Sequence, residues 1–282
     1  MTLSRTPTLR ALVAVALVGL AAGCATHGRD PVYVTVNGGD PPPVSERSSD
    51  AEVLRSVATV LVTRLGLPLT PPVRAYFYGS PEDFERGLVT HGGVNAEIAR
   101  DRSTLAVGVG ARRAIFLRGD RLRATSFPTR VGVLAHELTH ISQYELGDGR
   151  RGSSEQWLRE GFAECVKFRT LESLGIRSYL ESRAATVSAL RSAMLVAPLP
   201  GLETLEANRD WIAALRSSGG FRTYGQAFLA TDRLVERVGH RRVVDYFRRA
   251  SASRDRDATF MESFGISRAE YFADFRGYLA SL

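Results

Sequence analysis

His136-Glu137-Leu138-Thr139-His140 carries two imidazoles four residues apart, and Trp157-Leu158-Arg159-Glu160-Gly161-Phe162-Ala163-Glu164 follows shortly after it. On a helix, residues four apart share a face, so His136 and His140 can aim two ring nitrogens at one metal ion with Glu137 beside them. That is half of a zinc site. A catalytic zinc takes three protein ligands and keeps one position for water. Glu160, at the start of the next helical stretch, has the chemistry of the third ligand. Two His and one Glu form the ligand set of a hydrolase. A bare HExxH also occurs on solvated helix faces, so the downstream octet carries much of the weight.

Together the two segments resemble the gluzincin metallopeptidases, the clan of thermolysin and the aminopeptidase N family, whose third zinc ligand is the Glu of a W-L-x-E-G-x-A-type motif. The resemblance implies Zn²⁺ held by His136, His140 and Glu160, with Glu137 as the general base for the attacking water. It implies that Glu164, one turn beyond Glu160, hydrogen-bonds a ligand His and so fixes its tautomer. It also implies an α+β, zincin-like fold, with a small N-terminal β-sheet, the HExxH helix and a mostly α-helical C-terminal lobe. The cleft would lie between the zinc helices and that lobe. In such lobes a Tyr or His binds the oxyanion, and Tyr224, in Tyr224-Gly225-Gln226-Ala227-Phe228, resembles the start of the corresponding helix. The other reading of Tyr224 is an amphipathic core residue with its hydroxyl at the surface. No stretch resembles the Gly-x-Met-Glu-Asn loop of the aminopeptidase branch, which favours an endopeptidase or a peptidase with a narrow substrate.

The function implied is a membrane-anchored, zinc-dependent metallopeptidase acting on peptide or protein substrates in the cell envelope. A non-catalytic zincin-like binding or scaffold lipoprotein is one alternative. An amidase acting on cell-wall peptides is the other.

Residues 1–23 read as an export signal, with Arg5 and Arg10 ahead of an apolar run from Ala11 to Ala22 that is too short for a comfortable membrane span. Leu20-Ala21-Ala22-Gly23-Cys24 resembles a bacterial lipobox, which implies lipidation of Cys24 and a lipoprotein on the periplasmic side of a membrane. Cleavage to a soluble secreted form is the other outcome, because Ala21 stands three before the Cys where Leu is commonest. Removing the signal lowers the net charge from +7 to +5. Lys167 is the single lysine, the arginines are scattered, and no basic stripe interleaved with aromatics appears, so nucleic acid is not an expected partner. Cys165 is the only cysteine after residue 24, and it reads as a small buried apolar residue.

Residues 24–50, rich in Pro, Gly, Ser and Asp, read as a flexible tether. Val32 to Val36 alternates like a strand, but its Pro and Gly flanks argue against a lone short strand. The catalytic domain is expected over 51–282, with the sheet and active helix in 51–152 and the helical lobe in 153–282. An amphipathic helix is expected from Ala51 to Leu65, a strand from Val73 to Tyr78 and a short helix from Ser80-Pro81. Thr104 to Val109 and Ala114 to Leu117 read as a hairpin. The active helix is capped by Thr125 or Ser126, takes Pro128 in its first turn and stops at Gly147. A capping-box pattern over Ser153 to Gln156 starts the Glu160 helix, which ends at Leu174-Gly175. Helices are expected over 178–196, 202–216, 223–238, 240–251, 256–264 and 267–281. His91 reads as a solvated turn more readily than as a ligand, and His240 as a helix cap.

Overall fold

The computed structural model describes residues 30–36, 38–70, 72–149 and 154–282. The export signal over 1–23, the lipidation of Cys24 and the capping Ser153 lie outside the described residues.

Strands β1 (Val32–Val34), β2 (Val73–Tyr78), β3 (Gly108–Ala111) and β4 (Ala114–Arg118) form one mixed sheet in the order β1-β2-β4-β3. β2 and β4 run parallel with Ala75 opposite Ile115 and Phe77 opposite Leu117, while β1 and β3 pair antiparallel at the two edges. Side chains alternate faces along a strand. Ala75, Phe77, Ile115 and Leu117 therefore enter the main core, and Tyr76, Tyr78 and Phe116 enter a second apolar cluster with Phe84 and Leu88. The latter two belong to α2 (Pro81–Thr90), which Ser80 caps by accepting from the Asp83 amide.

Two expectations for this region are corrected. Val32–Val34 is a strand after all, because it is not alone: it pairs residue by residue with Val73 to Ala75 of β2. Thr104-Leu105 ends a helix, α3 (Ala96–Leu105), instead of opening a strand, since the Asn95 side chain caps that helix by accepting from the Glu97 amide. The hairpin is thus β3 and β4 joined through Arg112-Arg113, with Arg113 at φ 62°.

The first helix, α1 (Asp50–Thr63), starts with a complete Ser49/Glu52 capping box and buries Val53, Leu54, Val57 and Leu61. The short α4 (Gly119–Arg123) leads from the sheet to α5 (Phe127–Leu146), whose N-cap is Ser126. After it, α6 (Gln156–Ser173) is the central helix, packed between α5 and the later α9 (Gly220–Val238). Its Trp157 and Phe162 are fully buried, a class of side chain whose truncation to Ala costs about 3–5 kcal/mol. Gly161 permits the α6–α9 crossing: a Cβ there would meet the Ala227 carbonyl oxygen at 2.1 Å and the Thr231 hydroxyl at 2.3 Å.

The remaining helices are α7 (Tyr179–Met194), α8 (Asn208–Ser218), α10 (His240–Ala252), α11 (Arg256–Phe264) and α12 (Arg268–Ser281). The helix expected over 202–216 is divided into a 3-10 turn, Leu202–Leu205, and α8. The chain leaves helical geometry at Ala207, at φ −95° and ψ 146°, just after Glu206, whose carbonyl accepts from the Gln156 amide at 2.9 Å and so satisfies the first N–H of α6. The start of α6 likewise differs from expectation. Its N-cap is Glu155, which makes no side-chain cap; the buried Glu155 carboxylate accepts from the Tyr246 hydroxyl instead.

Candidate metal centre

α5 and α6 bring His136, His140 and Glu160 together, the two histidines that helical spacing paired and the glutamate that the downstream motif singled out. The His136 and His140 Nε2 atoms are 3.1 Å apart, and the Glu160 Oε2 lies 3.2 Å from the first and 3.4 Å from the second. Two imidazole lone pairs facing each other at this distance repel, and a proton or a cation between them turns the contact favourable. A tetrahedral ion with bonds of about 2.0–2.1 Å spaces its ligands about 3.3–3.4 Å apart, close to all three edges of this triangle. The donor set therefore fits a divalent metal.

Neighbouring groups set which ring nitrogens face the centre. Gln143 donates through its amide nitrogen to the Arg159 carbonyl at 2.9 Å, which leaves Oε1 as an acceptor for His140 Nδ1 at 2.9 Å. His140 therefore carries a proton on Nδ1 and turns the Nε2 lone pair inward. His136 is held the same way, with Nδ1 donating to Glu164 Oε1 at 2.8 Å. Glu164 is in turn held by Lys167 at 2.8 Å, so the single lysine serves this site. Gln156 donates to Glu160 Oε1 at 2.6 Å, leaving the other oxygen to the histidines. Each ligand is thereby oriented by a second residue. Gln143 was not singled out in the sequence, and Gln156 only as part of a capping box, although each lies one helical turn from the ligand it holds.

The electrostatics follow from burial and from these contacts. Burial opposes a charge on His136, but the carboxylates of Glu160 and Glu164 outweigh it and raise the imidazole to about 10. Glu160 is held well below the usual carboxylate range, since His140 and His136 overcome its desolvation. Glu164, also desolvated, is lowered to about 2 by Lys167 and His136. Glu137 moves the other way. Burial raises its pKa, with the histidines and a hydrogen bond from the Gly110 amide in opposition.

The edge strand β3 lies directly over Glu137 and His140. A Cβ on Gly108 would fall 2.7 Å from Glu137 Oε1, and one on Gly110 would fall 2.6 Å from the His140 Cβ. Glycine at both positions lets the strand approach the helix. Beyond them opens a cavity of about 460 Å³, lined by the ligands, Glu137, β3, part of α3 and an apolar wall from Trp211, Ile212 and Leu215 of α8. Tyr224 closes the far side, its ring edge-on to His136 with centroids 5.6 Å apart. The Trp211 ring packs edge-on to Tyr224 with centroids 5.2 Å apart, and burial beside Glu160, Glu137 and Glu164 keeps the Tyr224 hydroxyl protonated.

The remaining candidates lie elsewhere. His91 follows α2 and stacks on Tyr76, with ring centroids 4.9 Å apart. His240 opens α10 and reaches the Leu65 carbonyl beyond the end of α1 at 3.0 Å. Cys165 is fully buried in the main core, where desolvation pushes its thiol pKa well up.

No known protein family, curated protein or solved structure matches the chain. The functional reading therefore rests on the residues themselves.

Proposed function

We propose that the chain is a zinc-dependent metallopeptidase of gluzincin type, with a zincin-like arrangement of sheet and helices, acting as an envelope lipoprotein anchored through Cys24. One observation carries this reading: three oriented ligand atoms form a triangle of metal-binding size at the wall of a cavity, with a buried carboxylate, Glu137, beside them. A structural zinc site is closed by a fourth protein ligand, whereas a catalytic one keeps a position open. Only three such ligands cluster among the described residues, and the cavity borders them.

His136, His140 and Glu160 would hold the ion. The chemistry it supplies when bound is Lewis acidity, which polarises a carbonyl and makes water a better nucleophile near neutral pH. Glu137, with its proton affinity raised by burial, takes the proton of the attacking water and returns it to the leaving amine. Tyr224 donates its hydroxyl proton to the oxygen on which negative charge develops. Among the described residues β3 pairs with β4 on one side only, so its other backbone edge can receive an extended peptide by strand addition. The wall of Trp211, Ile212 and Leu215 then faces a substrate side chain.

The test is zinc content and cleavage of a mixed peptide library by the purified chain, beside Glu137→Gln. Zinc bound in a one-to-one ratio by both proteins is expected, with cleavage about 10²–10⁴-fold slower in the variant. A chain that binds no zinc would end this reading. Zinc binding without cleavage by either protein would shift it to a binding role.

A further inference from the structure

A second cavity, of about 580 Å³, lies where the end of α1 meets α6 and α10, and it shares no lining residue with the metal-centre cavity. Four arginines line it, Arg64, Arg169, Arg241 and Arg248, against a single acid, Asp245. Two of the four are neutralised: Arg64 pairs with Asp40 at 2.9 Å, and Arg248 pairs with Asp245. The side chains of Arg169 and Arg241 make no ion pair and no hydrogen bond to any described residue.

Arg169 is the more telling of the two. It is half-buried, its guanidinium lies over the Tyr179 ring at 4.6 Å, and its Nε is buried without a hydrogen-bond partner. Burying part of a cation is costly unless an anion or a set of acceptors compensates for it. The helices around it are joined by one histidine. His240 bridges α10 to α1 through the Leu65 carbonyl and packs on Phe162, with ring centroids 5.2 Å apart. Burial lowers the His240 pKa, so the imidazole adds no charge of its own. The pocket is therefore lined by two arginines without an acidic partner, Arg169 half-buried and Arg241 exposed. Arginine forks match the oxygens of a phosphate group and bind it through paired, charge-assisted hydrogen bonds.

We propose that the pocket between α1, α6 and α10 binds a phosphate group through Arg169 and Arg241, with Arg64 and Arg248 at its rim. The inference is independent of the peptidase reading. The group belongs either to a free phosphate compound or to the headgroup of an anionic phospholipid.

Inorganic phosphate titrated calorimetrically into the full chain, beside Arg169→Gln and Arg241→Gln, tests the site. Saturable binding is expected in the parent, weakened about 10–100-fold in each variant, with zinc content and circular dichroism unchanged. Arg241 is exposed, so its replacement isolates the ligand contact from any loss of packing at Arg169. A second arm compares binding of the same three proteins to vesicles of phosphatidylcholine alone and with phosphatidylglycerol. Phosphate binding lost in both variants supports a free phosphate ligand. No response to phosphate, but a gain on adding phosphatidylglycerol that both variants lose, supports a headgroup. Binding equal in all three proteins, or absent in both arms, overturns the proposal.

Discussion

Gln143 and His140 form a fixed pair: one amide orientation satisfies both the Arg159 carbonyl and the His140 ring, and it leaves the Nε2 lone pair as the only group His140 can offer the centre. Replacing Gln143 with Ala keeps the helix, since Ala is the best helix former, but frees the ring to rotate and to change tautomer. Metal affinity is expected to fall about 10–100-fold, the effect typical of removing a residue that orients a ligand. Competition with a chromophoric chelator measures it directly. An affinity equal to that of the parent would mean that packing alone holds His140.

The helix crossing at Gly161 sets how far Tyr224 stands from the ligands, because α6 carries Glu160 and α9 carries Tyr224. Gly161→Ala forces a Cβ to 2.1 Å from the Ala227 carbonyl, which is backbone and cannot swing aside. The helices must separate. Overpacking of this kind costs about 1–3 kcal/mol, which urea unfolding would register as a lower midpoint at unchanged slope. The same change is expected to slow cleavage more than it weakens metal binding, since the ligands sit on α5 and α6 while Tyr224 moves with α9.

Much of the centre was legible in the sequence because helical spacing is a local rule. Four residues from His136 to His140, and four from Glu160 to Glu164, place side chains on one face whatever the rest of the chain does. What was not legible depends on partners distant in the chain. β1 exists only through its pairing with β2, so its own flanks argued against it. The break before α8 serves the first amide of α6 through Glu206, a demand that no local pattern near residue 206 records. Gln143, Gln156 and Trp211 belong to residue types with many unremarkable uses. Helical registry was the available signal for the two glutamines, and only the packing of α8 on α9 brings Trp211 to Tyr224.

Proton competition follows from His136. Without metal its pKa is raised to about 10, so at neutral pH the ring carries a proton on each nitrogen, and the Nε2 proton occupies the centre. Zinc must displace it. Calorimetric titration at pH 7 in two buffers of different ionisation enthalpy is expected to reveal proton release on binding, and zinc affinity is expected to rise with pH between about 6 and 8. For the metal-free chain the sign is opposite. A raised pKa contributes stability that is fully present below the ordinary histidine value of about 6.5 and is lost as pH climbs through about 10. The metal-free melting temperature should therefore fall on going from neutral to alkaline pH, while the zinc-loaded chain, which has no proton there to lose, falls less.

Tyr224 decides between a core residue and an oxyanion donor. Its ring packs edge-on to Trp211, whose indole N–H can only donate and so makes no claim on the Tyr224 proton. Its own proton is then free to point elsewhere, and the cavity holding Glu137 and Glu160 is the side left open to it. Tyr224→Phe removes that proton while keeping the ring against His136 and Trp211. If the hydroxyl stabilises developing charge, kcat should fall about 10²–10³-fold with metal content unchanged and KM little altered, because the interaction is made in the transition state and not with bound substrate. A purely structural tyrosine predicts the reverse pattern: a lower unfolding midpoint from the loss of the buried hydroxyl, with turnover per folded molecule preserved.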